Sequence, residues 1–225
     1  RKLPIVFANA ADPVGQGLVA SLAKPGGNVT GLSTRSDELI GKRLQLLKEV
    51  LPFVSRIGVL RSTTGLCVWT ASETKVLHEE LKRAAATLGL HLVEIEYEHL
   101  RVGALELAFA QLKAARVDAI ASLLSWNWSD RSEFARHALQ ARLPTICDAA
   151  EFVEVGGLMS LSVSYAERYR KSAEYVDRIL RGAKPADLPV EEPTVFEFAV
   201  NLRTARELGL RIPQSILLRA DRVIE

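Results

Sequence analysis

The chain has 225 residues, of which 48% are hydrophobic and 25% charged, so it can bury a substantial core as one large or two small domains. Its 29 basic and 27 acidic residues leave a formal charge of +2, and the basic residues are scattered rather than gathered in a patch, which argues against nucleic-acid binding. No stretch approaches the roughly 20 apolar residues of a transmembrane helix, and the first apolar run is too short for a signal peptide.

The two cysteines do not indicate a metal site. Cys67 and Cys147 lie far apart, and neither has a second cysteine or a histidine at metal-ligand spacing. We therefore expect no zinc or other metal. Whether the two thiols form a disulfide stays open at this stage, because sequence spacing does not fix the distance between them.

The first predicted elements are a strand, a turn and a helix. The apolar run 3–8 predicts a buried strand. Asp12 suits a helix N-cap and Pro13 suits the first helical position, so we expect a short helix there, ended by the Pro-Gly-Gly sequence at 25–27. Small molecules bind at the carboxyl ends of strands in open α/β sheets, which makes this turn a candidate site.

The rest of the chain alternates strand and helix patterns. Predicted strands cover 29–33, 56–60, 91–97, 118–124, 145–148, 157–163 and 195–201. Predicted helices cover 36–51, 71–88, 103–115, 130–141 and 165–181, and one more begins after Asn201 and ends at Gly209. Such alternation predicts an α/β fold with a mostly parallel sheet flanked by helices.

Several short phrases along the chain carry a resemblance to a known family. They are DPVG at 12–15, KPGGNVTG at 24–31, GKRL at 41–44, GGLMS at 156–160, DRIL at 177–180, GAKP at 182–185 and the stretch 212–221. In this order and spacing the chain resembles the substrate-binding proteins of bacterial ATP-binding-cassette importers, in the family typified by tryptophan- and tyrosine-binding proteins.

The resemblance implies a type I periplasmic-binding-protein fold with two lobes, each a parallel sheet flanked by helices. One lobe would take 1–34 and 161–193, and the other 35–160 and 194–225. Family members normally carry further residues before this point, so we expect the N-terminal lobe to be incomplete. An incomplete lobe would expose a sheet edge and apolar surface, which favours a homodimer or strand exchange.

The resemblance also implies a function. A small molecule, amino-acid-like or aromatic, would be held between the lobes and delivered to an ABC permease in the inner membrane, which places the protein in the periplasm. Such a protein needs no cofactor and has no catalytic residues. Lobe closure around the ligand would be the working step.

Two predicted loops hold all three tryptophans of the chain. Thr63 and Trp69 lie in the loop after one strand, and Trp126 and Asn127 lie with Trp128 in the loop after another. Aromatic rings beside hydroxyl and amide groups suit a ligand with an apolar body and polar ends. The structural alternative is that the tryptophans cover the surface of the lobe.

Polar residues at other strand ends complete the candidate ligand contacts. Asp12 either caps the predicted helix or also faces an ammonium or hydroxyl group, and the N–H groups near Pro13 and Val14 suit a carboxylate. Asp148 is either a ligand contact or a solvated acid. Ser160 and Ser162, the remaining candidates, are either hydrogen-bond donors to the ligand or ordinary strand residues.

Other functional classes have weaker support. The segment 15–20, GQGLVA, fits the dinucleotide-binding fingerprint, with Asp37 about twenty residues on, but Asp12 would stand beside the pyrophosphate. An NAD-binding enzyme is therefore a minor alternative. A ligand-sensing domain of a regulator or receptor is a second one. The sequence contains no nucleophile elbow, zinc-protease motif or Walker loop.

Overall fold

The computed structural model describes residues 2–10, 12–34, 36–62, 71–98, 101–122 and 130–225, with the backbone alone at 36–38, 62 and 71–76. The chain forms two compact units. Unit 1 comprises Arg1–Asp37 and Val163–Phe196, and unit 2 comprises Glu38–Ser162 and Glu197–Glu225. The chain therefore passes from one unit to the other three times.

Strands and helices alternate through the described residues. The strands are β1 (Ile5–Ala10), β2 (Val29–Ser33), β3 (Arg56–Ser62), β4 (His91–Tyr97), β5 (Ala119–Ser122), β6 (Thr145–Cys147), β7 (Met159–Val163), β8 (Phe196–Asn201) and β9 (Arg222–Ile224). The helices are α1 (Ser36–Val50), α2 (Ala71–Thr87), α3 (Ala104–Ala114), α4 (Arg131–Gln140), α5 (Ala150–Glu154), α6 (Tyr165–Leu180), α7 (Leu202–Leu208) and α8 (Gln214–Leu217), with a 3-10 turn at Pro185–Asp187. The predicted α/β class is confirmed.

Unit 1 contains two parallel strands and one long helix. Strand β1 pairs with β2, and helix α6 packs against both. The Ser164 hydroxyl caps α6 by accepting a 3.3 Å hydrogen bond from the backbone N–H of Glu167. Leu32, Tyr175 and Leu188 form the buried cluster between the strands, the helix and the following loop.

The predicted helix after Asp12 is wrong. Residues 13–17 form successive turns, in which the backbone N–H groups of Leu18 and Val19 both bond to the carbonyl of Pro13. Gly17 takes a φ of 69°, a left-handed conformation that ends an α-helical ladder. Asp12 instead caps the turn, because its Oδ1 accepts a 2.8 Å bond from the N–H of Gly15.

The expectation that the first strand is buried is also wrong. Ile5 is 50% exposed and Leu3, just before the strand, is 82% exposed. Among the described residues β1 pairs with β2 alone, so its other edge has no strand partner. A two-stranded sheet covered on one face by one helix leaves its outer strand partly in solvent.

Unit 2 is centred on one sheet with the strand order β4-β3-β5-β6-β7-β8-β9. The last residue of β7 and the first residue of β8 belong to unit 1. The pairs β3–β4, β3–β5, β5–β6, β6–β7 and β8–β9 are parallel. A parallel sheet places the carboxyl ends of these strands along one edge. Several candidate ligand contacts of this unit come at or directly after the ends of these strands in the sequence.

The core of unit 2 is formed by the apolar faces of its helices. Ile40, Leu44 and Leu47 recur along one face of α1, and they and Leu51, which directly follows the helix, are fully buried. Leu77 and Leu81 of α2 and Phe109 and Leu112 of α3 are buried as well. Phe134 joins the core through rings 5.6 Å from Phe109 and 5.9 Å from Phe152. This packing holds the strands that carry the candidate site.

Candidate functional site

Three side chains form a row across neighbouring strands in unit 2, where Ser122 and Cys147 are the last residues of β5 and β6 and Ser160 is the second residue of β7. Ser122 of β5 is in register with Cys147 of β6, and Cys147 is in register with Ser160 of β7. Residues in register on adjacent parallel strands share a face of the sheet. All three side chains are fully buried. We call them the hydroxyl row (Ser122, Cys147, Ser160), because the thiol of Cys147 lies between two serine hydroxyls inside an apolar core.

The two serine hydroxyls of the row have no hydrogen-bond partner among the described residues. A buried polar group left without a partner costs about 1–3 kcal/mol relative to one that is paired. Ser122 is the last residue of β5, and α/β proteins bind small molecules near the carboxyl ends of parallel strands. The row therefore contains two unpaired donors or acceptors in the interior of unit 2, one of them at a strand end.

Arg43 of helix α1 adds a buried positive charge beside this row. Its residue is 3% exposed, and its Nε donates a 2.7 Å hydrogen bond to the carbonyl of Leu161, next to Ser160 in β7. Arg43 occupies the buried stripe of α1, one position before Leu44. The sequence contains a signal for this contact, namely a charged residue within an apolar stripe. Arg43 was nevertheless not among the predicted site residues.

The thiol of Cys147 is not a nucleophile in this setting. Complete burial raises its pKa far above the ordinary value, and the nearby carboxylate of Asp148 raises it further, while a hydrogen bond with Thr145 and the charge of Arg43 lower it. The thiol therefore stays protonated at neutral pH. Cys147 is a free, buried cysteine, so it acts as a small apolar side chain.

Three predicted contacts in unit 2 lie close to the hydroxyl row in the sequence and the sheet. Ser160 is a member of the row, and Ser162 follows it two residues later on the same face of β7, 2% exposed. Asp148 is half-buried and comes directly after β6. Ser122 was missed, because only the register with β6 shows that it belongs beside them.

The other predicted contacts divide into two groups. Thr63, Trp69, Trp126 and Asn127 lie outside the described residues. In unit 1, Asp12 uses one carboxylate oxygen to cap the turn, Pro13 is buried, and Val14 is 42% exposed. Because this segment forms turns, it lacks the helix N-terminus on which the dinucleotide fingerprint relies for binding a pyrophosphate.

Within the described part of the chain, no group of three or more histidine, cysteine, aspartate and glutamate side chains is arranged to hold a metal ion. In the same residues, no helix has the length and apolar character required to cross a bilayer.

One curated protein of known binding function is similar to most of this chain. The chain is 25% identical to a tyrosine-binding protein from Clostridioides difficile over 216 residues, which is 94% of this chain and 58% of that protein. The chain thus spans less than two thirds of that relative's length.

Solved structures with similar sequences have the same fold. A conserved domain protein from Vibrio cholerae superposes with a TM-score of 0.84 at 32% identity, and an ABC domain in complex with L-Trp from Streptococcus pneumoniae superposes with 0.81 at 30%. The matches cover 99% and 100% of this chain and 72% of each of those chains. A glucose-galactose binding protein from Geobacillus stearothermophilus, 18% identical over 75% of this chain and 61% of its own with a TM-score of 0.55, supports the fold alone.

The family assignment comes from nearly the whole chain. A sequence model of the family described as ABC transporter substrate binding protein matches residues 1–224. This family consists of binding proteins and not of enzymes, and its fold is the type I periplasmic-binding-protein fold seen here. The chain belongs to the ABC transporter substrate-binding protein family.

Proposed function

We propose that this chain is the ligand-binding part of an ABC importer and captures an amino-acid-like or aromatic small molecule. The observation that supports this most directly is the pair of buried, unpartnered hydroxyls of Ser122, the last residue of β5, and Ser160, which is joined to it through the register with Cys147. In a family whose members bind substrates, such hydroxyls are suited to hydrogen bonds with a polar end of the ligand.

The ligand class rests on the relatives. One is a tyrosine-binding protein and another was solved with L-Trp. In this chain Trp69, Trp126 and Asn127 follow strands β3 and β5 in the sequence, and we propose them with Thr63 as contacts for the apolar body and polar groups of the ligand. Aromatic side chains add about 0.5–1.5 kcal/mol per ring pair beyond the burial of apolar area.

Unit 1 and unit 2 are proposed to act as the two lobes. The chain passes between them three times, which is a connectivity that permits hinge motion without loss of either fold. A ligand that binds the closed form more tightly than the open form shifts the equilibrium toward closure. Asp12, Asp148 and Ser162 remain proposed contacts of this closed form.

The importer role brings a partner and a location with it. The closed, liganded form is proposed to dock on an ABC permease in the inner membrane and to release its ligand there. This partner requires a periplasmic location. Both proposals rest on membership of the family.

A ligand panel tests the proposed function. The chain is heated with L-tryptophan, L-tyrosine, L-leucine, indole-3-acetate or NAD, and positive results are measured again by calorimetric titration. A ligand at a hundred times its Kd stabilises the folded state by about 2.7 kcal/mol, which gives a clear increase in Tm. We expect the increase with an aromatic amino acid. An increase with NAD alone, or none with any compound, contradicts the proposal.

A further inference from the structure

Unit 1 contains a cavity of its own that is partly open to solvent. Its wall comes from the end of β2, the last residue of β7, the first turns of α6 and the segment that leads to β8. Charged residues of α6 in the wall are Glu167, Arg168 and Lys171. All of the lining residues belong to unit 1.

Arg168 is the unusual member of this wall. It is 7% exposed, on the face of α6 that also carries the buried Tyr175. Its Nη1 donates a 3.1 Å hydrogen bond to Oδ1 of Asn9, and its guanidinium carbon lies 4.4 Å from the centre of the Tyr165 ring. Its Nε has no hydrogen-bond partner among the described residues.

The cavity wall contains three carboxylates, those of Glu167, Glu191 and Glu192, and the first two pair with cations other than Arg168. Glu167 pairs with Arg170 at 2.6 Å. Glu191 accepts a 3.2 Å contact from Lys171 and a 3.0 Å bond from the hydroxyl of Tyr175. In the part of the chain that the structure describes, Arg168 forms no ion pair. Its buried guanidinium instead contacts the amide oxygen of Asn9 and the ring of Tyr165.

Such an arrangement is unfavourable in a protein without a ligand. Removing a guanidinium from water is costly unless a carboxylate or similar anion compensates for the lost hydration. Arginine also presents its donors in a planar fork that matches the two oxygens of a carboxylate. The carboxylates of Glu167, Glu191 and Glu192 in the same wall disfavour an occupant with several negative charges.

We propose that Arg168 binds the carboxylate of a small monocarboxylic molecule in this cavity of unit 1. If the proposed function holds, on which this ligand identity rests, the carboxylate is that of the bound amino acid. Nε, which has no partner, and the remaining donors of the fork then bond to the two carboxylate oxygens. The buried charge and the anion compensate each other when the ligand is bound.

Three related compounds and three variants test this proposal by calorimetric titration. L-Tryptophan has both charged groups, indole-3-propionate has the carboxylate alone, and tryptamine has the ammonium alone. Arg168→Gln should weaken the binding of L-tryptophan and of indole-3-propionate by about 10- to 100-fold, which is the range of one charge-assisted contact. The binding of tryptamine should stay unchanged. Arg178→Gln is the matched control, since Arg178 lies on the same helix, 5.7 Å from the Tyr175 ring, is exposed and does not line the cavity.

Stability without ligand supplies a second readout. Arg168→Met keeps the length and apolar stem of the side chain and removes the uncompensated charge, so we expect its Tm to exceed that of the unsubstituted chain. A lowered Tm would show that the arginine supports the fold of unit 1 and would overturn the proposal. Arg178→Gln should leave the Tm within experimental error.

The outcomes separate this inference from the proposed function. Tight binding of L-tryptophan that is equal in Arg168→Gln and the unsubstituted chain leaves the proposed function standing and rejects the role of Arg168. Binding of indole-3-propionate that depends on Arg168, without binding of any amino acid, supports the carboxylate site and rejects the amino-acid ligand. No binding of any of the three compounds rejects both.

Discussion

Nε of Arg43 donates a 2.7 Å hydrogen bond to the carbonyl oxygen of Leu161, and the arginine is almost completely buried. The bond joins helix α1 to strand β7 in the residue that follows Ser160. A guanidinium in the core is thus used to hold one strand of the hydroxyl row in place.

Arg43→Met should destabilise the chain. The substitution leaves the Leu161 carbonyl without its donor, and an unsatisfied buried acceptor costs about 1–3 kcal/mol. The measurement is the free energy of unfolding in urea. Lys42→Met is the control, because Lys42 is exposed and adjacent on the same helix, and it should change stability by less. Equal effects of the two substitutions would show that the Leu161 contact contributes nothing.

Cys147 should reduce stability as the pH rises. Burial raises its pKa in the folded chain, with Asp148 adding to the increase, whereas an unfolded cysteine ionises near pH ~8.5. Its contribution to stability is complete below that pH and is lost above it by about 1.4 kcal/mol per pH unit. Unfolding free energies at pH 8, 9 and 10, in a Cys67→Ser background, should fall more steeply with Cys147 than with Cys147→Ala. Parallel profiles would contradict this.

Ser122→Ala and Ser160→Ala should both stabilise the chain without ligand and weaken its binding of L-tryptophan. Each substitution removes an unpartnered hydroxyl from the core, with a gain of about 1 kcal/mol. The contrast is Thr30→Val, which removes a hydroxyl that is equally buried but donates a 2.7 Å bond to the carbonyl of Leu188, and which should destabilise. Thermal unfolding and calorimetric titration measure both effects. Serine variants that lose stability and bind normally would exclude a role for the row.

Ile5→Lys should reduce self-association. Strand β1 has an edge without a strand partner in the described residues, and Ile5 is half-exposed on it, so we predict that copies of the chain pair along this edge at high concentration. Sedimentation or light scattering across a concentration series checks this. Leu180→Lys, at an exposed leucine at the end of α6, is the control and should leave the mass unchanged. A chain that is monomeric at all concentrations would disprove the prediction.

Long periodic elements could be predicted from the sequence, and short ones could not. Helix α1 spans Ser36–Val50, one residue shorter than predicted. It was predictable because its apolar residues repeat over four turns. Helix α5 at Ala150–Glu154, helix α8 at Gln214–Leu217 and strand β9 at Arg222–Ile224 were missed. Segments of three to five residues have too few positions for a period, and their structure depends on tertiary contacts.

The candidate site was predictable at the level of strand ends and not of contacts. Asp148 was found because it follows the end of β6, where parallel sheets bind ligands, and Ser160 was proposed as a polar residue of the predicted strand 157–163. Ser122 needed the register with Cys147, which depends on pairing of distant strands. Arg168 was not among the predicted site residues, since sequence alone does not show that its charge is buried without a carboxylate.

All three passages between the units occur inside regular structure. The boundaries fall after Asp37 in α1, after Ser162 in β7 and after Phe196 in β8. Domain boundaries ordinarily lie in exposed linkers, which is where proteases cut and where truncated forms are designed. Each unit is built from two separate segments of the chain, so neither unit can be expressed as one continuous fragment. Studies of either unit therefore need the whole chain, with point substitutions in place of truncation.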